Sequence, residues 1–194
     1  MTARVPAGHV TPVLLLTDRR QARRPLLEVV LAAAVTTVLR EKDVPRSGRL
    51  RLAAALRGRG VDVIVAGPDP LEGTAVHLST RDHLRPPGVR LAGRSCHDEA
   101  EIDRSVDADY VTVSPVFPTV SKPGYGPPLG VAGLARLVAR AAPLPVYALG
   151  GVDTPARAAA CRAAGARGVA VMGAVMRSPD PADLVGQLLD AVTR

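Results

Sequence analysis

Residues 145–173 read PVYALGGVDTPARAAACRAAGARGVAVMG. An apolar strand at 145–149 runs into Gly150-Gly151. Thr154 is placed to cap a helix whose first position is Pro155, and Gly165 stops it. A second apolar strand follows at 168–172 and ends at Gly173. Glycine lets a backbone approach a bound anion closely. Paired glycines after one strand and another after the next match the seventh and eighth loops of an eightfold barrel, where backbone N–H groups commonly bind phosphate.

Working outward, the same strand-then-helix unit recurs. Short apolar runs at 13–17, 35–39, 61–65, 75–78, 89–92 and 110–113 read as strands. Periodic segments at 25–34, 48–56, 98–104, 131–141 and 181–192 read as helices. Near-continuous apolar strands are those that a parallel sheet buries on both faces. Residues 69–72 and 81–84 leave barely a helical turn each, so the third and fourth helices are expected to be abbreviated. The pattern predicts a compact (β/α)8 TIM barrel over 12–194, with a flexible N-terminus at 1–11. An open doubly wound sheet also explains the alternation, but not the glycine signature at units seven and eight.

A chain of 194 residues with 47% hydrophobic content suits a single globular domain. It contains neither an apolar span of membrane length nor the apolar core of a signal peptide, so a cytoplasmic protein that does not enter a membrane is expected. Two cysteines make no disulfide framework. The net charge of +7 comes from arginines spread along the chain, and aromatic residues make up only 2%. A stacking platform for nucleic acid is therefore not expected, and the charge suits a phosphorylated small molecule better. Self-association into a homo-oligomer stays open.

Candidate chemistry lies where strands end. Asp18, Arg40-Glu41-Lys42, Ser95-Cys96-His97, Ser114 to Lys122, Gly150-Gly151 and Met172-Gly173 all fall there. The stretch from Ser114 runs about a dozen residues without periodicity, a length usually reserved for function, and it carries Thr119, Ser121 and Lys122. Lysine is rare here, with Lys42 and Lys122 the only two against twenty-three arginines, so each points to a use for a compact ammonium. His97 reads either as a general acid–base or as a residue capping the following helix. His77, inside a strand, reads as a core histidine, and Glu41 as the partner of a nearby arginine. Neighbouring residues on an extended segment face opposite ways, so Cys96 and His97 are not expected to pair.

Arg40-Glu41-Lys42, Gly93-Arg94-Ser95-Cys96-His97, Asp109-Tyr110 with Pro118-Thr119-Val120-Ser121-Lys122, and Ala148-Leu149-Gly150-Gly151-Val152 resemble, in this order and spacing, the thiamine phosphate synthase/TenI superfamily. The resemblance implies a small TIM barrel that binds thiazole phosphate, with Gly150, Gly151, Met172 and Gly173 as the phosphate cradle. It also implies that Thr119, Ser121 and Lys122 face the substrate or a diphosphate, with Arg40, Lys42 and Ser95 nearby. The superfamily's synthases join a pyrimidine diphosphate to thiazole phosphate with Mg²⁺, using an Asn-Asp pair after strand three and an Asp after strand four. Here strand three ends in Val65-Ala66-Gly67-Pro68, and only Asp82 matches the second acidic position, so weak Mg²⁺ binding is expected. The resemblance therefore leans to the metal-independent thiazole tautomerase, which needs no cofactor. In that branch His97 shuttles a proton and Lys122 or Lys42 holds the substrate's carboxylate. The alternative is the Mg²⁺-dependent synthase, with Asp82 a candidate ligand. A further alternative is a non-catalytic phosphate-ligand-binding regulator.

Overall fold

A computed structural model of the chain describes residues 10–119 and 127–194. Eight parallel strands close into a barrel in sequence order: β1 (Val13–Leu16), β2 (Thr37–Leu39), β3 (Val63–Ala66), β4 (Ala75–Leu78), β5 (Leu91–Cys96), β6 (Tyr110–Val113), β7 (Val146–Leu149) and β8 (Gly168–Val171). The helices are α1 (Leu26–Ala33), α2 (Arg46–Arg57), α3 (Glu99–Asp103), α4 (Gly130–Ala141), α5 (Pro155–Ala163), α6 (Gly173–Met176) and α7 (Pro181–Thr193). No helix separates β3 from β4 or β4 from β5, where abbreviated helices were expected; segments of barely one turn, at 69–72 and 81–84, are too short to form one. The expected TIM barrel is the observed fold. No helix among the described residues is long and apolar enough to cross a membrane.

Strand alternation sorts the apolar residues into two layers. Val13, Leu15, Val65, Val111, Val113 and Val169 turn outward against the helices. Leu14, Leu16, Ile64, Ala66, Tyr110 and Tyr147 fill the barrel interior. Tyr147 donates its hydroxyl to the Val10 carbonyl at 3.2 Å, and buried Val10 closes the end where the strands begin. The opposite end, where the strands finish, stays open.

The helices start where the sequence supplies caps. The side chains of Asp98, Thr154 and Asp180 accept from the N–H groups of Glu101, Arg157 and Asp183, which satisfies donors that the helix itself leaves unpaired. Strand β5 runs to Cys96, beyond the expected end at residue 92. The reason is register: Ser95 and Cys96 sit opposite Thr112 and Val113 of β6, and that pairing extends the ladder past the apolar run.

Candidate active site

At the open end lies a cleft of about 440 Å³. Its floor is the last inward-facing layer of the barrel, including Leu16, Ala66, His77, Ser95, Leu149 and Met172. Alternation explains the choice on β5: Ser95 points inward to the cleft, and Cys96 points outward, where its thiol meets Ser105 Oγ at 3.2 Å. His97 lines the rim, its Nδ1 at 2.8 Å from the Glu101 carboxylate, which also accepts from the His97 backbone N–H at 2.7 Å. Cys96 and His97 therefore form no dyad, as expected.

One wall is built from the sixth and seventh loops. The Val116 and Phe117 N–H groups donate to the carbonyls of Leu149 and Gly150 at 2.9 and 3.0 Å, so loop six runs along loop seven. The other flank is pinned too, with Leu129 and Gly130 donating to Pro115 and Val116, each at 2.9 Å. Gly150 and Gly151 have φ of 96° and 67°, a region that favours glycine. A Cβ on Gly151 would lie 2.5 Å from the Pro118 oxygen. The Arg157 guanidinium covers the Phe117 ring at 5.1 Å and donates to the Gly151 carbonyl at 2.8 Å. Thr119, Gly150, Gly151, Met172 and Gly173 all face the cleft. Ser121 and Lys122 lie outside the described residues.

The cleft is also lined by cations. Arg40, from the end of β2, lies across the mouth with Nη1 2.8 Å from the Met172 sulfur, and Lys42 follows it on the rim. Buried Glu41 between them accepts from the Arg19 N–H at 3.1 Å and from its guanidinium at 3.1 Å. That arginine partner was expected, and its effect is to fix the turn that presents Arg40 and Lys42. Arg81 and Arg177 also line the cleft, and neither was anticipated from the sequence. Arg177 follows α6, which at four residues is too short to show periodicity. Its guanidinium donates to the Gln21 side chain and occupies space that any side chain on Gly173 would enter.

His77 is the second surprise. It is a buried histidine with polar partners, as read from the sequence, and it also faces the cleft. Its Nδ1 lies 3.1 Å from the Tyr110 hydroxyl and its Nε2 lies 3.0 Å from Ser95 Oγ. Burial above all, then the positive charges of Lys42, Arg40 and Arg94, push the imidazole down to about 4, so it is neutral at neutral pH. Burial pushes the Tyr110 phenol up, and it stays protonated. A buried phenol is the better donor, which makes Tyr110 O–H the donor to Nδ1 and leaves Nε2–H to serve Ser95 Oγ. The Ser95 hydroxyl proton is then available to the cleft.

The carboxylates do not gather. No group of three or more His, Cys, Asp or Glu residues among the described residues is placed to hold a metal. Asp82 turns into its own loop, where it accepts from Ser79 N and Oγ, both at 2.7 Å. Asp69 pairs with Arg46 at 2.7 Å. Asp153 reaches the cleft but pairs with Arg157 at 2.8 Å.

A family model described as thiamine monophosphate synthase matches residues 71–175. A putative thiamine-phosphate synthase of Geobacter sulfurreducens is 38% identical over 90% of this chain and 91% of its own. A thiamine-phosphate synthase of Roseiflexus castenholzii is 36% identical over 94% of this chain and 88% of its own. In fold, a thiamine phosphate pyrophosphorylase from Pyrococcus furiosus superposes with a TM-score of 0.78 at 24% identity, over 93% and 95% of the two chains. The synthase names of these relatives overturn the expected tautomerase. Identity at this level over nearly the whole chain reflects common descent: the chain belongs to the thiamine monophosphate synthase family.

Proposed function

We propose that this chain is a transferase that joins a pyrimidine diphosphate to thiazole phosphate, yielding thiamine phosphate and diphosphate. The observation that carries the reading is that glycine-rich loop ends and a set of cations line one cleft. Gly150, Gly151 and Gly173 line the same cleft as Arg40, Lys42 and Arg81, and the named synthases are its relatives along nearly its whole length. The glycines suit the phosphate of the thiazole, the cations the diphosphate of the pyrimidine.

In the joining step the thiazole ring nitrogen gives its lone pair to the exocyclic methylene carbon of the pyrimidine. The methylene–oxygen bond breaks and its electron pair leaves on the diphosphate. The ring nitrogen gains positive charge as the leaving group gains negative charge, and no proton moves at the reacting atoms. His97 therefore has no acid–base task in the step, and its place on the rim suits binding instead. Cations already aimed at the diphosphate stabilise charge that develops as the bond breaks. Ser95, held by His77, donates its hydroxyl from the floor. Thr119 lines the cleft, where it would contact substrate, and Ser121 and Lys122 are proposed to join it there.

The resemblance brings Mg²⁺ with it, and the donor set does not fit that ion. Mg²⁺ asks for octahedral oxygen ligands, whereas Asp69, Asp82 and Asp153 are dispersed and engaged. The test is synthesis of thiamine phosphate from the two substrates by the purified chain. Product appearing in step with diphosphate supports the reading, and no product from substrates that bind would sink it.

A further inference from the structure

The mismatch with Mg²⁺ falls at one place in the barrel. Strand β3 lies between β2 and β4; it ends at Ala66 and Gly67 follows, and neither carries a polar side chain. Ala66 forms cleft floor at that point. Lys42, following β2, and Arg81, following β4, line the cleft on either side. Neither Lys42 nor Arg81 has an ion-pair partner among the described residues, whereas the nearby carboxylates do: Asp43 pairs with Arg19 and Asp69 with Arg46.

The loop that carries Arg81 is held from both sides. Buried Arg94 donates to the carbonyls of Asp82 at 2.9 Å and His83 at 2.7 Å. The Asp82 carboxylate ties the same loop back to Ser79. A carboxylate with two short hydrogen bonds to its own loop is a structural clamp, and its effect is to set the residue before it at the cleft. The loop thus presents a cation where a metal site would need an anion.

We propose that the end of β3 is a diphosphate subsite in which Lys42 and Arg81 bind the anion directly, without a bridging divalent cation. A guanidinium offers paired N–H donors that match phosphate oxygens, and an ammonium offers a compact point charge. Together they neutralise from the protein side what a magnesium ion would otherwise neutralise. The identity of the anion as a diphosphate rests on the synthase reading above, whereas the subsite itself rests on the placement of these side chains.

The test is calorimetric titration of the intact chain with inorganic pyrophosphate, once in EDTA and once in Mg²⁺. Pyrophosphate is expected to bind in EDTA with an affinity within about tenfold of that in Mg²⁺, and Lys42→Ala and Arg81→Ala should each weaken it about tenfold or more. Arg136→Ala, on the exposed face of α4 beside Glu99, sets the baseline for losing a surface arginine. Affinity that rises more than about tenfold with Mg²⁺, or that survives either cleft substitution unchanged, overturns the proposal. Thiamine phosphate synthesis is followed separately on the same samples. Magnesium-independent pyrophosphate binding without product would refute the synthase reading and leave the subsite standing.

Discussion

Replacing Gly151 by alanine tests whether the sixth and seventh loops form one cradle. Gly151 has φ +67°, where an L-residue costs about 1–2 kcal/mol. The new Cβ would lie 2.5 Å from the Pro118 oxygen and 2.7 Å from Phe117 Cβ. Two of the neighbours it meets, the Pro118 oxygen and the Phe117 carbonyl carbon, are backbone atoms, so the clash is not relieved by a rotamer, and overpacking of this kind costs about 1–3 kcal/mol. The stiffer unfolded chain returns about 0.4–1 kcal/mol. The net loss is about 2–4 kcal/mol, or a melting temperature lower by about 5–15 °C in a chain of this size. Gly60 is the control: its φ is +79° but nothing lies within 4 Å of an added Cβ, so Gly60→Ala should cost only about 1 kcal/mol. Scanning calorimetry reads both. Loop six moves to relieve the clash, carrying Pro118 and Thr119 with it, and affinity for thiazole phosphate should fall about tenfold or more. If Gly151→Ala melts with Gly60→Ala and binds as the parent does, loop six does not support the cradle.

His77 titrates at about 4 when buried, against 6.5 when exposed. As pH falls below 6.5 the unfolded chain takes the proton first, so stability is complete above 6.5, is lost between 6.5 and 4, and falls no further below 4. That loss amounts to about 3 kcal/mol. Urea midpoints from pH 7.5 to 4 should therefore slope less for His77→Gln, and equal slopes would mean that the histidine is not buried in neutral form. Glu41→Ala removes the acceptor for the Arg19 N–H and should cost about 1–3 kcal/mol. It should also weaken pyrophosphate binding through the displaced Arg40 and Lys42; unchanged binding would separate that turn from the site. Cys96 and Cys161 are fully buried, and burial pushes both thiols up to about 11. Neither should react with a disulfide reagent at pH 8 until the chain is unfolded, and rapid labelling of the native protein would contradict the packing.

Most of the fold was legible because its two layers are written in the strands. Val13 to Leu16 and Tyr110 to Val113 are buried on both faces, and apolar content alone reveals them. Gly150 and Gly151 could be read as the turn after β7, since their φ of 96° and 67° favours glycine. What escaped was side-chain direction. His77 looked like a core residue because burial and exposure to a cleft are alike in sequence; inward phase near the strand end was the signal that could have placed it at the floor. Strand β5 reached Ser95 through its pairing with β6, which no local pattern records. Arg81 and Arg177 were lost among the other arginines. Only the clamped loop after β4 and the space that Arg177 fills beside Gly173 set them apart.

The account turns on whether the glycines and the cations of this cleft serve one bond-forming step. The direct measurement is formation of thiamine phosphate by the intact chain given pyrimidine diphosphate and thiazole phosphate, with diphosphate release followed in the same vessel. The account predicts the two products in equal amounts, at a rate lowered at least tenfold by Arg81→Ala through weaker diphosphate binding. Binding of both substrates with neither product formed would contradict it.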